Sequence, residues 1–154
     1  MASPYLAMRP VRKFFQRLLW RLAPPRCRPT EDDRQLGLAG ENAAARFLQT
    51  QGYKILVRRY RCKHGEIDLV CRDGEALVFV EVKSREDNES ARPSDAVQLE
   101  KQRHMSRCAL DYLRRLQNPD VEARFDVVEV LWAPPLPTFE LIQDAFPLSE
   151  PYYY

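Results

Sequence analysis

Asp73-Gly74 lies between two runs rich in β-branched and apolar residues, Glu66 to Arg72 and Ala76 to Lys83. An Asp-Gly step suits a turn with positive backbone φ, and such turns tie flanking strands into a tight antiparallel hairpin. An all-helical fold is thereby removed. Tyr53 to Arg61 has the same strand character and precedes the hairpin closely, so three antiparallel strands in a meander are expected.

Helical patterns flank the meander. Thr30 can cap a helix whose positive end suits Glu31, Asp32 and Asp33, and apolar positions then run from Leu36 through Ala44 and Phe47 to Leu48, ending near Gly52. After the meander, Ser84 to Pro93 is polar and charged and reads as a loop. A long helix is expected from Ser94 to about Gln117, stopped by Asn118-Pro119. Ala123 to Trp132 then reads as a strong strand, and Pro134, Pro135 and Pro137 lead to a weaker one at Thr138 to Gln143. The order is αβββαβ with an extra C-terminal edge strand, an α/β fold with a mixed central sheet flanked by helices.

With 154 residues, 45% hydrophobic and 30% charged, the chain fits one globular domain with extensions. No run of about 18 apolar residues could form a membrane-spanning helix. The net charge of +2 is unevenly spread. Residues 1–30 hold seven basic side chains and no acid, while the remaining 17 basic and 22 acidic groups leave the rest at −5. Within 1–30, Val11, Phe14, Phe15, Leu18, Leu19 and Leu22 recur at helical spacing among Arg12, Lys13, Arg17 and Arg21, a basic amphipathic helix closed by Pro24-Pro25. It is read first as a partly ordered appendage. Contact with an anionic membrane surface or with phosphates, and the role of an organellar presequence, are the alternatives. The expected division is 1–30 extension, 31–146 domain and 147–154 tail. Cys27, Cys62, Cys71 and Cys108 form no C-x-x-C pair, which favours reduced thiols in a cytoplasmic protein over a disulfide framework or zinc finger. A metal role for Cys62, His64 and Cys71 is weighed and not adopted.

Ionisable groups that interrupt a burial pattern cost free energy unless a metal, partner or substrate uses them. Four positions do so. At about 100° per residue, Glu41 falls inside the apolar arc of the first helix, between Ala45 and Leu48. Period-two alternation sends Ile67, Leu69 and Cys71 to one face of the second strand and Glu66, Asp68 and Val70 to the other. In the third strand Leu77, Phe79, Glu81 and Lys83 share a face, so a carboxylate and an ammonium end an apolar run. The hairpin makes Asp68 and Glu81 neighbours where their faces agree. Two adjacent carboxylates repel unless a divalent cation sits between them, and an all-oxygen pair suits Mg²⁺ or Mn²⁺. Lys83 could then orient or help deprotonate a water, or balance charge on a phosphate, which outlines metal-assisted phosphodiester cleavage. The simpler alternatives are a cross-strand ion pair for Lys83 and a solvent-reaching carboxylate for Glu41. The fourth position, Lys101, lies within the stripe Val97, Met105, Cys108, Tyr112 and Leu116. It must snorkel, meet a phosphate or pair with a core carboxylate.

Gly65-Glu66-Ile67-Asp68-Leu69-Val70, Val78-Phe79-Val80-Glu81-Val82-Lys83-Ser84-Arg85 and the preceding Gly37-Leu38-Ala39-Gly40-Glu41 resemble the bacterial family typified by YraN, as do Arg124-Phe125-Asp126-Val127-Val128 and Asp144-Ala145-Phe146. The resemblance spans roughly Arg34 to Phe146. It implies the restriction-endonuclease-like fold of PD-(D/E)xK nucleases, similar to archaeal Holliday-junction resolvases. Under it Asp68 is the motif aspartate, Glu81 and Lys83 are the E-x-K pair, and Glu41 completes a metal site with Asp68 and Glu81. Ile67 stands where the motif name has proline, which removes no ligand.

The first expectation is a Mg²⁺-dependent nuclease acting on DNA, including branched DNA, with Arg58, Arg59, Lys63, Arg85 and Lys101 meeting phosphates. A resolvase-type substrate suggests a homodimer, since two symmetric cuts need two sites. The rival expectation is a DNA-binding or adaptor module that keeps the fold without catalysis, which the acidic main domain favours.

Overall fold

A computed structural model describes residues 31–86, 99–117 and 121–149. The expected N-terminal basic helix lies outside these residues. Helix α1 spans Glu31–Thr50 and α2 spans Leu99–Leu116; the strands are β1 Lys54–Cys62, β2 Gly65–Asp73, β3 Ala76–Glu86, β4 Ala123–Trp132 and β5 Thr138–Phe146. One five-stranded sheet runs in the order β1-β2-β3-β4-β5. Its pairs are antiparallel except β3 with β4, which are parallel. A parallel pair requires a crossover, and α2 falls in that connection. The αβββαβ order with an added edge strand is therefore the observed architecture, the mixed core of the restriction-endonuclease-like class. Among the described residues no helix is long and apolar enough to cross a membrane.

Each helix covers one face of the sheet. Ala44, Ala45 and Leu48 of α1 pack with Leu69, Cys71, Val78, Val80, Val128 and Val130. On the other face Met105, Cys108 and Ala109 of α2 pack with Ile67, Val70, Leu77, Phe79, Phe125 and Val127. Strands covered on both faces can be apolar throughout, which is why β3 opens with six buried residues in succession.

Two strands run further than the sequence reading. The strand expected to end at Lys83 continues through Ser84, Arg85 and Glu86, which pair with Val130, Leu131 and Trp132. These polar residues stay in the sheet because they find partners: Ser84 Oγ accepts from Trp132 Nε1 at 2.8 Å and donates to the Leu36 carbonyl at 3.3 Å. The last strand runs to Phe146 rather than Gln143, through a register shift that places Asp144 at φ 50°. The start of the tail is anchored, with Leu148 against the α2-side core and the Ser149 N–H on Ser106 Oγ at 3.0 Å. The expected helix start at Ser94 lies outside the described residues.

Candidate active site

The sheet forks at Asp68. The ladder between β2 and β3 stops at Leu69 and Val80, whereas β2 stays paired with β1 back to Gly65 and β3 stays paired with β4 out to Glu86. Asp68 sits in the crotch, where its Oδ2 accepts the Val82 N–H at 2.8 Å in place of a strand carbonyl. Strict alternation fails at the same point. Ile67 packs with the α2-side core while Leu69 and Cys71 pack with the α1-side core, so the expected common face of these three does not form. Alternation presumes a continuous pleat, and a fork ends it.

Helix α1 reaches this fork through a close approach. A Cβ at Gly40 would lie 2.5 Å from both Cβ and Oγ of Ser84, so only glycine lets the helix backbone lie against β3 there. The next residue is Glu41. A glycine inside a helix costs about 1 kcal/mol relative to alanine, and here the cost secures contact between α1 and the strand bearing Glu81 and Lys83. Neither Ser84 nor Trp132 stood out in the sequence as a support, although mid-helix glycine was a readable sign of close packing.

Glu81 is 5% exposed and is held between two ammonium groups. Lys83 Nζ stands 3.3 Å from its Oε1 and Lys101 Nζ 3.0 Å from its Oε2. The buried Oε2 thus has the Lys101 ammonium as its partner. Burial first, and the negative charge of Glu81 second, push the Asp68 carboxyl up to about 7, against the Val82 N–H and Lys101. Burial likewise raises Glu41, with Glu66 and Glu81 adding to the rise and Arg59 opposing it. Burial would lower the Lys101 ammonium, but Glu81 and then Asp68 outweigh it and hold the group above its ordinary value. Asp68 and Glu41, each disfavoured as an anion by burial and by the negative charge of Glu81, fit a hard divalent cation, which takes one or two carboxylates and keeps several waters. Asp68, Glu81 and Glu41 do not converge into a finished cage: no group of three His, Cys, Asp or Glu side chains placed to hold a metal occurs among the described residues.

The basic residues singled out as phosphate contacts are spread around this centre. Arg58 donates to Asn42 Oδ1 at 2.8 Å, and Arg59 Nε stands 3.6 Å from Glu41 Oε2, so both reach α1. Arg59 holds a φ of 54° on the strand beside β2, a conformation that costs energy for a residue with a side chain. Lys63 is exposed in the turn after β1. Arg85 stands 3.5 Å from the buried Glu129. Glu66 lies at the rim, paired with Arg61 at 3.1 Å. Cys62 and Cys71 belong to opposite core clusters, which separates the weighed Cys62, His64 and Cys71 set.

A second polar cluster went unforeseen. Asp126, fully buried, takes Tyr53 Oη–H at 3.1 Å, Arg124 Nε at 3.0 Å and the Asp144 N–H at 3.0 Å. Arg124 also reaches Asp73 at 2.7 Å, and Gln143 donates to Tyr53 Oη at 2.7 Å. This network joins β1's entrance, the hairpin turn, β4 and β5. An Asp two residues from an Arg on a valine-rich strand was the available signal.

Fold and centre together define a mixed α/β protein with a forked sheet that presents paired acids and lysines at the split. The profile of the uncharacterised protein family UPF0102 matches residues 40–130. A UPF0102 protein of Syntrophus aciditrophicus is 46% identical over 113 residues, covering 73% of this chain and 89% of that relative. One from Geobacter metallireducens is 43% identical over 117 residues, covering 76% and 96%. A third, from Symbiobacterium thermophilum, is 50% identical over 97 residues, covering 63% and 82%. The chain belongs to the UPF0102 family.

Proposed function

We propose that the chain is a divalent-metal-dependent endonuclease that hydrolyses phosphodiester bonds of DNA, with branched or otherwise structured DNA as its substrate class and the cytoplasm as its place of action. The observation that carries this reading is the half-buried Asp68 beside the buried Glu81 at a sheet fork, with Lys83 alongside. Asp68 and Glu81 would hold Mg²⁺ or Mn²⁺, with Glu41 supporting from α1. A bound cation supplies polarisation of the phosphoryl oxygens and a lowered pKa for a bound water. Lys83 positions a water or balances phosphate charge. Lys101, Arg58, Arg59, Lys63 and Arg85 are the candidate phosphate contacts, and symmetric cutting of a junction would use a homodimer. The test is incubation of the full chain and of Glu81→Ala with labelled linear, single-stranded and four-way-junction DNA in Mg²⁺, Mn²⁺ or EDTA. Metal-dependent products from the wild type alone are expected, and equal cleavage by the variant would overturn the assignment.

One observation favours a second reading. Both Glu81 oxygens already face ammonium groups, so this acid is neutralised without a cation. That suits a DNA-binding or adaptor module on the same fold. Junction binding that is intact in EDTA, with no cleavage in any metal, is its signature.

A further inference from the structure

Cys62 at the end of β1 and Cys108 in the middle of α2 bring their sulfurs to 2.9 Å, although 46 positions separate them in the chain. Both are free thiols. A disulfide bond is about 2.05 Å long, so less than about 1 Å of approach remains. The backbone supports this closeness: Gly65, paired with Cys62, would place a Cβ 3.9 Å from Cys108 Sγ and 3.6 Å from His104 Cβ, so the turn after β1 rests directly on α2. No third His, Cys, Asp or Glu side chain joins the two sulfurs in a metal-holding group among the described residues.

We propose that Cys62 and Cys108 form a reversible disulfide, a modification site for peroxide that lies outside the acid centre and does not depend on the nuclease reading. Cys62 is the partly exposed partner, open to peroxide, and its sulfur accepts the His64 N–H at 3.3 Å. Cys108 is buried, and burial together with the neighbouring Cys62 sulfur pushes its thiol up to about 12. The roles follow from this difference. The Cys62 thiolate attacks a peroxide oxygen; the S–O bond forms, the O–O bond breaks, and the departing hydroxide takes a proton to leave as water. Cys108 sulfur then attacks the Cys62 sulfur; the S–S bond forms, the S–O bond breaks, and the hydroxyl leaves with the Cys108 proton as a second water. Two thiols lose two electrons and one peroxide gains them. The bond would clamp α2, which also carries Lys101, to the end of β1.

The experiment uses the full chain treated with hydrogen peroxide or with dithiothreitol, followed by alkylation of remaining thiols, non-reducing digestion and mass spectrometry. A Cys62–Cys108 linked peptide lacking two hydrogens is expected, reversed by dithiothreitol and retained in Cys71→Ser. Closing so long a loop should raise Tm by on the order of 10 °C. Cys62→Ser should abolish both the link and the shift. Cys62 recovered as sulfinic acid with Cys108 alkylated, a link from Cys62 to Cys27 or to a second copy, or no link at all would each overturn the proposal. Mapping on the unaltered chain keeps the test independent of whether any variant folds.

Discussion

Lys101 on α2 places its ammonium 3.0 Å from Oε2 of Glu81 on β3, so the helix crossing one face of the sheet supplies the counter-charge for a buried strand acid. Removing it strips the buried Oε2 of its partner and leaves Lys83, on Oε1, as the remaining ammonium in contact with Glu81. Lys101→Met should destabilise the protein in EDTA by about 1–3 kcal/mol, less than the cost of breaking a fully buried pair because the lysine keeps contact with solvent. Added Mn²⁺ should recover more stability in the variant than in the wild type, because the cation no longer competes with the ammonium. Urea denaturation with and without Mn²⁺ measures both effects, and equal recovery would count against a cation at Glu81.

Asp68→Asn tests the other acid with the opposite sign. Burial and Glu81 both disfavour charge on Asp68, and an amide oxygen can still accept the Val82 N–H. The variant should therefore equal or exceed the wild type in EDTA, by up to about 1–3 kcal/mol. It should lose the Mn²⁺-induced rise in Tm that the wild type shows. A variant that is much weaker in EDTA would mark Asp68 as structural.

The sequence carried the element order because each strand of the meander has its own β-rich run and Asp73-Gly74 signals a hairpin, although the turn itself is Gly74-Glu75, with Asp73 paired to Ala76. It also named Asp68, Glu81 and Lys101 as groups that break a burial pattern, and the structure gathers those three. It could not show the fork. Local alternation gives Ile67 and Leu69 one face, and only long-range pairing of β2 with β1, and of β3 with β4, separates them. Ser84 read as loop for the same reason: its partners, Trp132 and Leu36, are each 48 residues away. The Tyr53, Arg124 and Asp126 network escaped because its members meet only after the sheet closes.

Gly40→Ala probes how α1 is seated. The new methyl would meet Ser84 at 2.5 Å, and Ser84 is tied by Trp132 and the Leu36 carbonyl. Overpacking costs about 1–3 kcal/mol, and about 1 kcal/mol returns through helix propensity, for a net loss near 1 kcal/mol. Ser84→Gly opens the space, so the double variant should lose less than the two singles combined, by about 0.5–2 kcal/mol in a thermodynamic cycle. Strict additivity would mean that the helix shifts freely and that the contact does not place Glu41.

Tyr53 contributes to the alkaline limb of stability, together with Tyr60, Tyr112, Cys71 and Cys108, which burial also raises. Its hydroxyl is buried, and burial first, then the nearby Asp126, push it up to about 12 against Gln143 and Arg124. The unfolded tyrosine ionises near pH 10. Between about pH 10 and 12 the unfolded chain releases this proton while the folded chain retains it, so stability falls as pH rises through that window. Two pH units correspond to about 2–3 kcal/mol in total. Tyr53→Phe forfeits the hydroxyl's bonds to Asp126, Arg124 and Gln143 and should be weaker at neutral pH by about 1–3 kcal/mol, with a shallower alkaline decline. Chemical denaturation across pH 8 to about 12, read beside tyrosinate absorbance, separates the two terms. Parallel declines in the two proteins would show that Tyr53 ionises in the folded state and that the network does not hold its proton.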